Sequence, residues 1–119
     1  MGKPPPDSFR AELLDLLSER DLTLRAFAES IDVAQPYLSQ VLAGHRKVTP
    51  PLLNRAAKKL RVQPERWSEY REMVATEAIR RDPELCRRVY AKIPVELRTR
   101  IFRDLNRSHH PRSNKRPSD

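Results

Sequence analysis

The stretch SIDVAQPYLSQVLAGHRKVTP, residues 30–50, joins two short apolar-periodic segments through a turn and ends in a basic loop. Asp32 sits where the chain must turn, and Asp tolerates a left-handed backbone better than most residues. After it, Leu38, Val41 and Leu42 recur at helical spacing, which predicts a helix over about residues 35–43 with Gly44 as its left-handed stop. Upstream, Thr23 is expected to cap a helix only about two turns long, whose inward face is Leu24, Phe27, Ala28 and Ile31.

The flanking sequence reads as further helices. DSFRAELLDLLSERD places Phe9, Leu13, Leu16 and Leu17 on one face, with Asp7 or Ser8 as N-cap after three prolines. On the other side Thr49 caps a helix with Pro50 and Pro51 in its first turn and Leu52, Leu53, Ala56, Ala57 and Leu60 as its stripe. From Pro64 the pattern runs through Trp67, Tyr70, Met73, Val74 and Ala78 to Asp82. Pro83 then resets it for Leu85, Val89 and Tyr90. Pro94 resets it again for Val95, Leu97, Ile101, Phe102 and Leu105. With two glycines in the chain and few β-branched residues, the expected class is all-α. The expected division is a flexible leader (1–6), a helical domain (7–70), a C-terminal helical extension (71–105) and a disordered basic tail (106–119). No fixed-period repeat is visible.

Composition narrows the function. The 119 residues carry 24 Lys plus Arg against 16 Asp plus Glu, a net charge of +8 and a pI near 10.2, which favours a polyanionic partner. The charge is unevenly placed. From Val33 to Pro64, 32 residues contain no Asp or Glu, whereas Arg46, Lys47, Arg55, Lys58, Lys59 and Arg61 all fall within them. A solvated helix face normally mixes both signs, so a surface free of groups that repel phosphate points to nucleic acid. The lone cysteine, Cys86, cannot form an internal disulfide. No charged-then-apolar leader opens the chain, and no apolar run approaches a membrane span, so a reducing cytoplasm is the expected compartment. MGKPPP has Pro6 where a myristoylation signal needs Ser or Thr.

Two short helices with a tight hinge are the geometry that lets the second enter a DNA major groove while the first crosses the backbone. Here the chain resembles the Cro and phage-repressor type (XRE-like) helix-turn-helix family. The resemblance rests on LTLRAFAESIDVAQPYLSQVLAGHRKVTPPLLNRAAKKLRVQPERW, where Thr23, Phe27, Ala28, Ile31, Val33, Leu38, Val41, Gly44, Pro50, Ala57 and Leu60 fall at the family's caps, core and turn. It implies a five-helix domain and a sequence-specific, double-stranded-DNA-binding transcriptional regulator associated with the nucleoid. Family base-reading positions fall on Gln35, Pro36, Tyr37, Ser39 and Gln40. Gln35 and Gln40 carry the amides that can read adenine bidentately, and Pro36 offers only shape or thymine-methyl contact. His45, Arg46, Lys47 and Thr49 match the phosphate-clamping loop, which fixes register without reading sequence, and Arg25 near the start of the second helix is a further phosphate candidate. Two positions depart from the pattern. Asp32 stands where the family usually has Gly, and Ala34 stands at the recognition-helix cap with no side-chain acceptor, at a cost of about 1 kcal/mol.

Because one recognition helix reads too few base pairs to find a site alone, the resemblance also implies a homodimer, here through the C-terminal helices. The tail would add salt-sensitive affinity. Two other functional classes fit the residues less well. For an enzyme, the three histidines, His45, His109 and His110, and Cys86 make neither a metal set nor a nucleophile with its base, and there is no Gly-rich phosphate loop, so no cofactor is expected. An antitoxin or adaptor would keep the fold and use its surface or the C-terminal helices to bind a protein partner.

Overall fold

The computed structural model describes residues 4–108. Every regular element there is a helix: α1 (Phe9–Glu19), α2 (Leu24–Ser30), α3 (Gln35–Leu42), α4 (Pro50–Leu60), α5 (Ser68–Arg81), α6 (Pro83–Ala91) and α7 (Val95–Ser108), with a 3-10 turn at Pro64–Arg66 ahead of α5. Side-chain oxygens start most of them by accepting from amides that have no partner inside the helix. Ser8, rather than Asp7, caps α1 by accepting from Ala11 N at 3.0 Å, and Thr23 caps α2 by accepting from Ala26 N at 3.0 Å. Thr49 Oγ1 lies 3.4 Å from Leu52 N at the start of α4, and Asp82 Oδ1 accepts from Glu84 N and Leu85 N at the start of α6. At the start of α3, Ala34 makes no side-chain cap.

The C-termini of α1 to α4 share one device. Asp21, Asp32, Gly44 and Arg61 all adopt a left-handed backbone, with φ of 57°, 61°, 87° and 60°. In each case the next amide reaches back five residues to a helix carbonyl, as Leu22 N to Leu17 O, Val33 N to Ala28 O, His45 N to Gln40 O and Val62 N to Ala57 O, at 2.9 to 3.0 Å. Three of those following residues, Leu22, Val33 and Val62, pack against the core. His45, after α3, is exposed instead.

The chain divides into two compact units, residues 1–77 and residues 78–119. Among the described residues, the first holds every buried apolar side chain. Phe9, Leu13, Phe27, Ala28, Leu38, Val41 and Ala56 are sealed from solvent, and Leu52, Leu53 and Leu60 nearly so. Ala28, on α2, is wholly enclosed in the core, and a larger side chain there would push the packed helices apart. The segment after α4 closes the unit. Trp67 is fully buried, its ring edge-on to Phe9 at 5.0 Å and its Nε1 donating to Glu12 Oε1 at 3.0 Å. Glu69, at the start of α5, accepts from Phe9 N at 2.6 Å and Arg10 N at 3.3 Å, so it caps α1 from a distance of sixty residues of chain. Arg71 pairs with Asp7, and Tyr70 and Met73 lie partly buried against the core.

The continuous helix expected from Pro64 is interrupted at Trp67, whose extended backbone (φ −98°, ψ 134°) separates the 3-10 turn from α5. That break aims the indole into the core and its N–H at Glu12. It carries no marker in the periodicity, because apolar spacing runs evenly across it.

The second unit begins with the last residues of α5 and contains α6 and α7. Within it Arg98 Nε donates to Ile93 O at 2.9 Å, and the Arg98 guanidinium lies 4.2 Å from the Tyr90 ring centre, holding the α6–α7 turn. None of its described residues is buried; Tyr90, Val95, Phe102 and Leu105 are more than half exposed. α7 continues through Asn106, Arg107 and Ser108, three residues beyond the helix end expected at Leu105, so the expected tail does not begin at 106. Thr99 and Ser108 hydroxyls bond back to carbonyls one turn earlier, which lets those polar residues stay helical. The rest of the expected basic tail, including His109 and His110, and residues 1–3 of the expected leader lie outside the described residues.

Candidate nucleic-acid interface

With about 100° between successive side chains of a helix, burial of Leu38 and Val41 turns the opposite side of α3 outward. Gln35, Pro36 and Gln40 are exposed, and Tyr37 and Ser39 half-buried. Pro36 occupies the first turn, where its fixed φ suits the helix and the missing amide proton costs nothing, which offsets part of the missing cap at Ala34. The outward side chains are interlinked. Gln35 Nε2 donates to Ser39 Oγ at 3.1 Å. Gln40 Oε1 accepts from Arg46 Nε at 3.1 Å, and the Arg46 guanidinium sits 5.7 Å from the Tyr37 ring centre. Thus Gln40, Arg46 and Tyr37, expected as separate contacts, form one cluster.

The loop after α3 holds His45, Arg46, Lys47 and Thr49, all exposed. Gly44 suits its start because a φ of 87° strains a residue with a side chain; an added Cβ would also lie 2.7 Å from Arg10 Nη2, the far end of a flexible side chain that can move aside. Arg10 therefore reaches from α1 to the C-terminal end of α3, where a cation is favoured by the helix dipole, and its Nε is buried without a hydrogen-bond partner. Arg25 lies apart from the α3 cluster, exposed on α2 with its Nε 3.6 Å from Glu29 Oε2. An exposed pair of that kind holds its side chains weakly.

Arg55 has a role that sequence reading misses. By sequence it is one more surface cation of the acid-free stretch, yet its Nη1 donates to the carbonyls of Ile31 and Asp32 at 3.3 and 3.2 Å. It thereby fastens α4 to the turn between α2 and α3 and satisfies carbonyls left free at the end of α2. Nothing in its spacing marks partners more than twenty residues upstream.

The electrostatics follow the sequence pattern. The ion pairs Arg25–Glu29, Arg66–Glu12, Arg71–Asp7, Arg87–Glu84 and Arg107–Asp104 each draw their carboxylate from outside residues 33–64. Among the described residues, Arg46, Lys47, Lys58, Lys59 and Arg61 are exposed and form no carboxylate pair, so their charge is left for an outside anion. Arg55, Lys58 and Lys59 share one side of α4 by their i, i+3, i+4 spacing. Among the described residues no group of three His, Cys, Asp or Glu side chains could hold a metal ion, and no helix is long and apolar enough to cross a membrane.

Residues 13–67, the segment that carries α2, α3 and the basic loop, match the helix-turn-helix family model of the Cro/C1 type. No curated protein and no solved structure gives a significant match.

Proposed function

We propose that this chain, whose residues 13–67 match the Cro/C1-type helix-turn-helix family model of DNA-binding regulators, binds double-stranded DNA sequence-specifically and regulates transcription, with α3 in the major groove. One observation carries the reading: the exposed side of α3, with Gln35 and Gln40, adjoins a loop of cations that no carboxylate of the described chain neutralises. In this reading Gln35, Pro36, Tyr37, Ser39 and Gln40 face base edges. His45, Lys47 and Thr49 hold phosphates together with Arg46, and Arg25 adds a peripheral phosphate contact. The Thr49 hydroxyl caps α4 with its oxygen and keeps its proton for a phosphate.

The second unit supplies the second half of the reader. Its exposed Tyr90, Val95, Ile101, Phe102 and Leu105 offer on the order of 100 Å² each, enough for the apolar centre of an interface of about 800 Å² per partner. A second copy of the chain covers them in this reading, and a two-fold dimer places two α3 helices on an inverted repeat. The site of action is then DNA in the cytoplasm.

Selection of bound duplexes from a random DNA pool at about physiological salt tests the proposal. The expected outcome is an inverted repeat with half-site centres about one helical turn, or a multiple, apart. Binding without enrichment, lost as salt rises, would contradict it and direct attention to a protein partner for α6 and α7.

A further inference from the structure

We infer that Arg46 is a specificity-determining residue that fixes the amide of Gln40 so that this glutamine reads guanine rather than adenine. The assignment rests on the DNA-binding reading above and deepens it. A bidentate reader of adenine needs both ends of its amide: the nitrogen donates to N7 and the oxygen accepts from the exocyclic amine. Gln40 has its oxygen engaged. Arg46 Nε donates to Oε1 at 3.1 Å, and the Arg46 main-chain amide also reaches Gln40 O at 3.3 Å, so the loop is tied to this residue twice. The guanidinium is further held 5.7 Å from the Tyr37 ring centre, which removes much of its freedom before any DNA arrives.

The orientation follows from chemistry as well as from position. A guanidinium carries donors and no acceptor, so only the oxygen of an amide can face it. Gln40 is left presenting Nε2, whose two protons have no partner among the described residues. Two donors complement the paired acceptors O6 and N7 of guanine, the base edge that shows two acceptors and no donor in the major groove. Gln35 is under no such constraint, because its partner Ser39 is a hydroxyl that both donates and accepts, so its amide remains able to take adenine. Arg46 thus leaves the set of plain phosphate clamps: its remaining N–H groups can hold a phosphate while Nε sets the neighbouring glutamine.

The test uses the full chain and the duplex obtained by selection. The base pair read by Gln40 is the one whose preference collapses in Gln40→Ala; affinities are then measured for duplexes carrying each of the four base pairs there, with wild type, Arg46→Ala and Arg46→Lys. Wild type is expected to favour guanine by about tenfold or more. Arg46→Ala should bring the four affinities together as well as weaken them. Arg46→Lys, which keeps the charge but not the planar fork, should retain the salt dependence while the guanine preference falls at least about threefold. Adenine at that position, or a guanine preference that survives intact in Arg46→Ala while all four duplexes weaken equally, overturns the assignment and leaves DNA reading in place. A wild-type protein that enriches no sequence overturns both.

Discussion

The two units solve the burial problem in opposite ways. Residues 1–77 bury Phe9, Phe27, Leu38, Trp67 and the aliphatic faces of α1 and α4 in one core, whereas residues 78–108 bury no side chain and leave Phe102 71% exposed. Both segments contain amphipathic helices, and α6 starts at a side-chain cap as α1, α2 and α4 do, so helix formation does not separate them. What separates them is burial: the first unit encloses its apolar side chains, whereas those of the second stand exposed among the described residues, the kind of surface that marks an interaction site.

The largest expected effect breaks the first unit alone. Trp67→Ala removes a fully buried ring, its edge contact with Phe9 and its bond to Glu12, and should cost about 3–5 kcal/mol in urea unfolding. Next comes Ala28→Leu, which overfills the core at a fully buried position and should cost about 1–3 kcal/mol. A stability equal to wild type in either variant would mean that the core does not close as described.

Phe102→Asp with Leu105→Asp addresses the other side of the comparison. The unfolding of the first unit should be unchanged within about 0.5 kcal/mol, as for exposed positions generally. Sedimentation should show dimer for wild type, as proposed, and monomer for the variant, and affinity for the two-half-site duplex should fall toward that of a half-site. An unaltered dimer would place the interface elsewhere. The smallest effect sharpens the weakest helix start: Ala34→Ser should supply the missing acceptor at α3 and raise stability by about 0.5–1 kcal/mol.

Elements governed by local chemistry are legible from sequence. Thr23 and Thr49 are short side chains with an acceptor at the right offset, Gly44 is a glycine where the chain must turn left-handed, and the 3.6-residue spacing of Leu38 and Val41 marks the buried side of α3. Relationships across the chain are not. Glu69 capping α1, Arg55 holding the α2–α3 turn and Arg10 against Gly44 depend on which helices meet, and an exposed-looking charge carries no sign of a distant partner. The left-handed Asp21 and Arg61 are likewise unmarked, because neither residue type demands that backbone. At the candidate interface the residue types of α3 and the absence of carboxylates are readable, whereas the engagement of Gln40 by Arg46 requires their positions in space.

The central claim is that the exposed side of α3 and the cations after it form a sequence reader and not merely a polyanion-binding surface. Titration of the full chain against the selected duplex and a scrambled duplex of equal length, over a range of salt, tests it most directly. A reader should prefer the selected duplex by at least about a thousandfold at physiological salt, with the scrambled duplex lost first as salt rises. Two curves that superimpose at every salt concentration would contradict it.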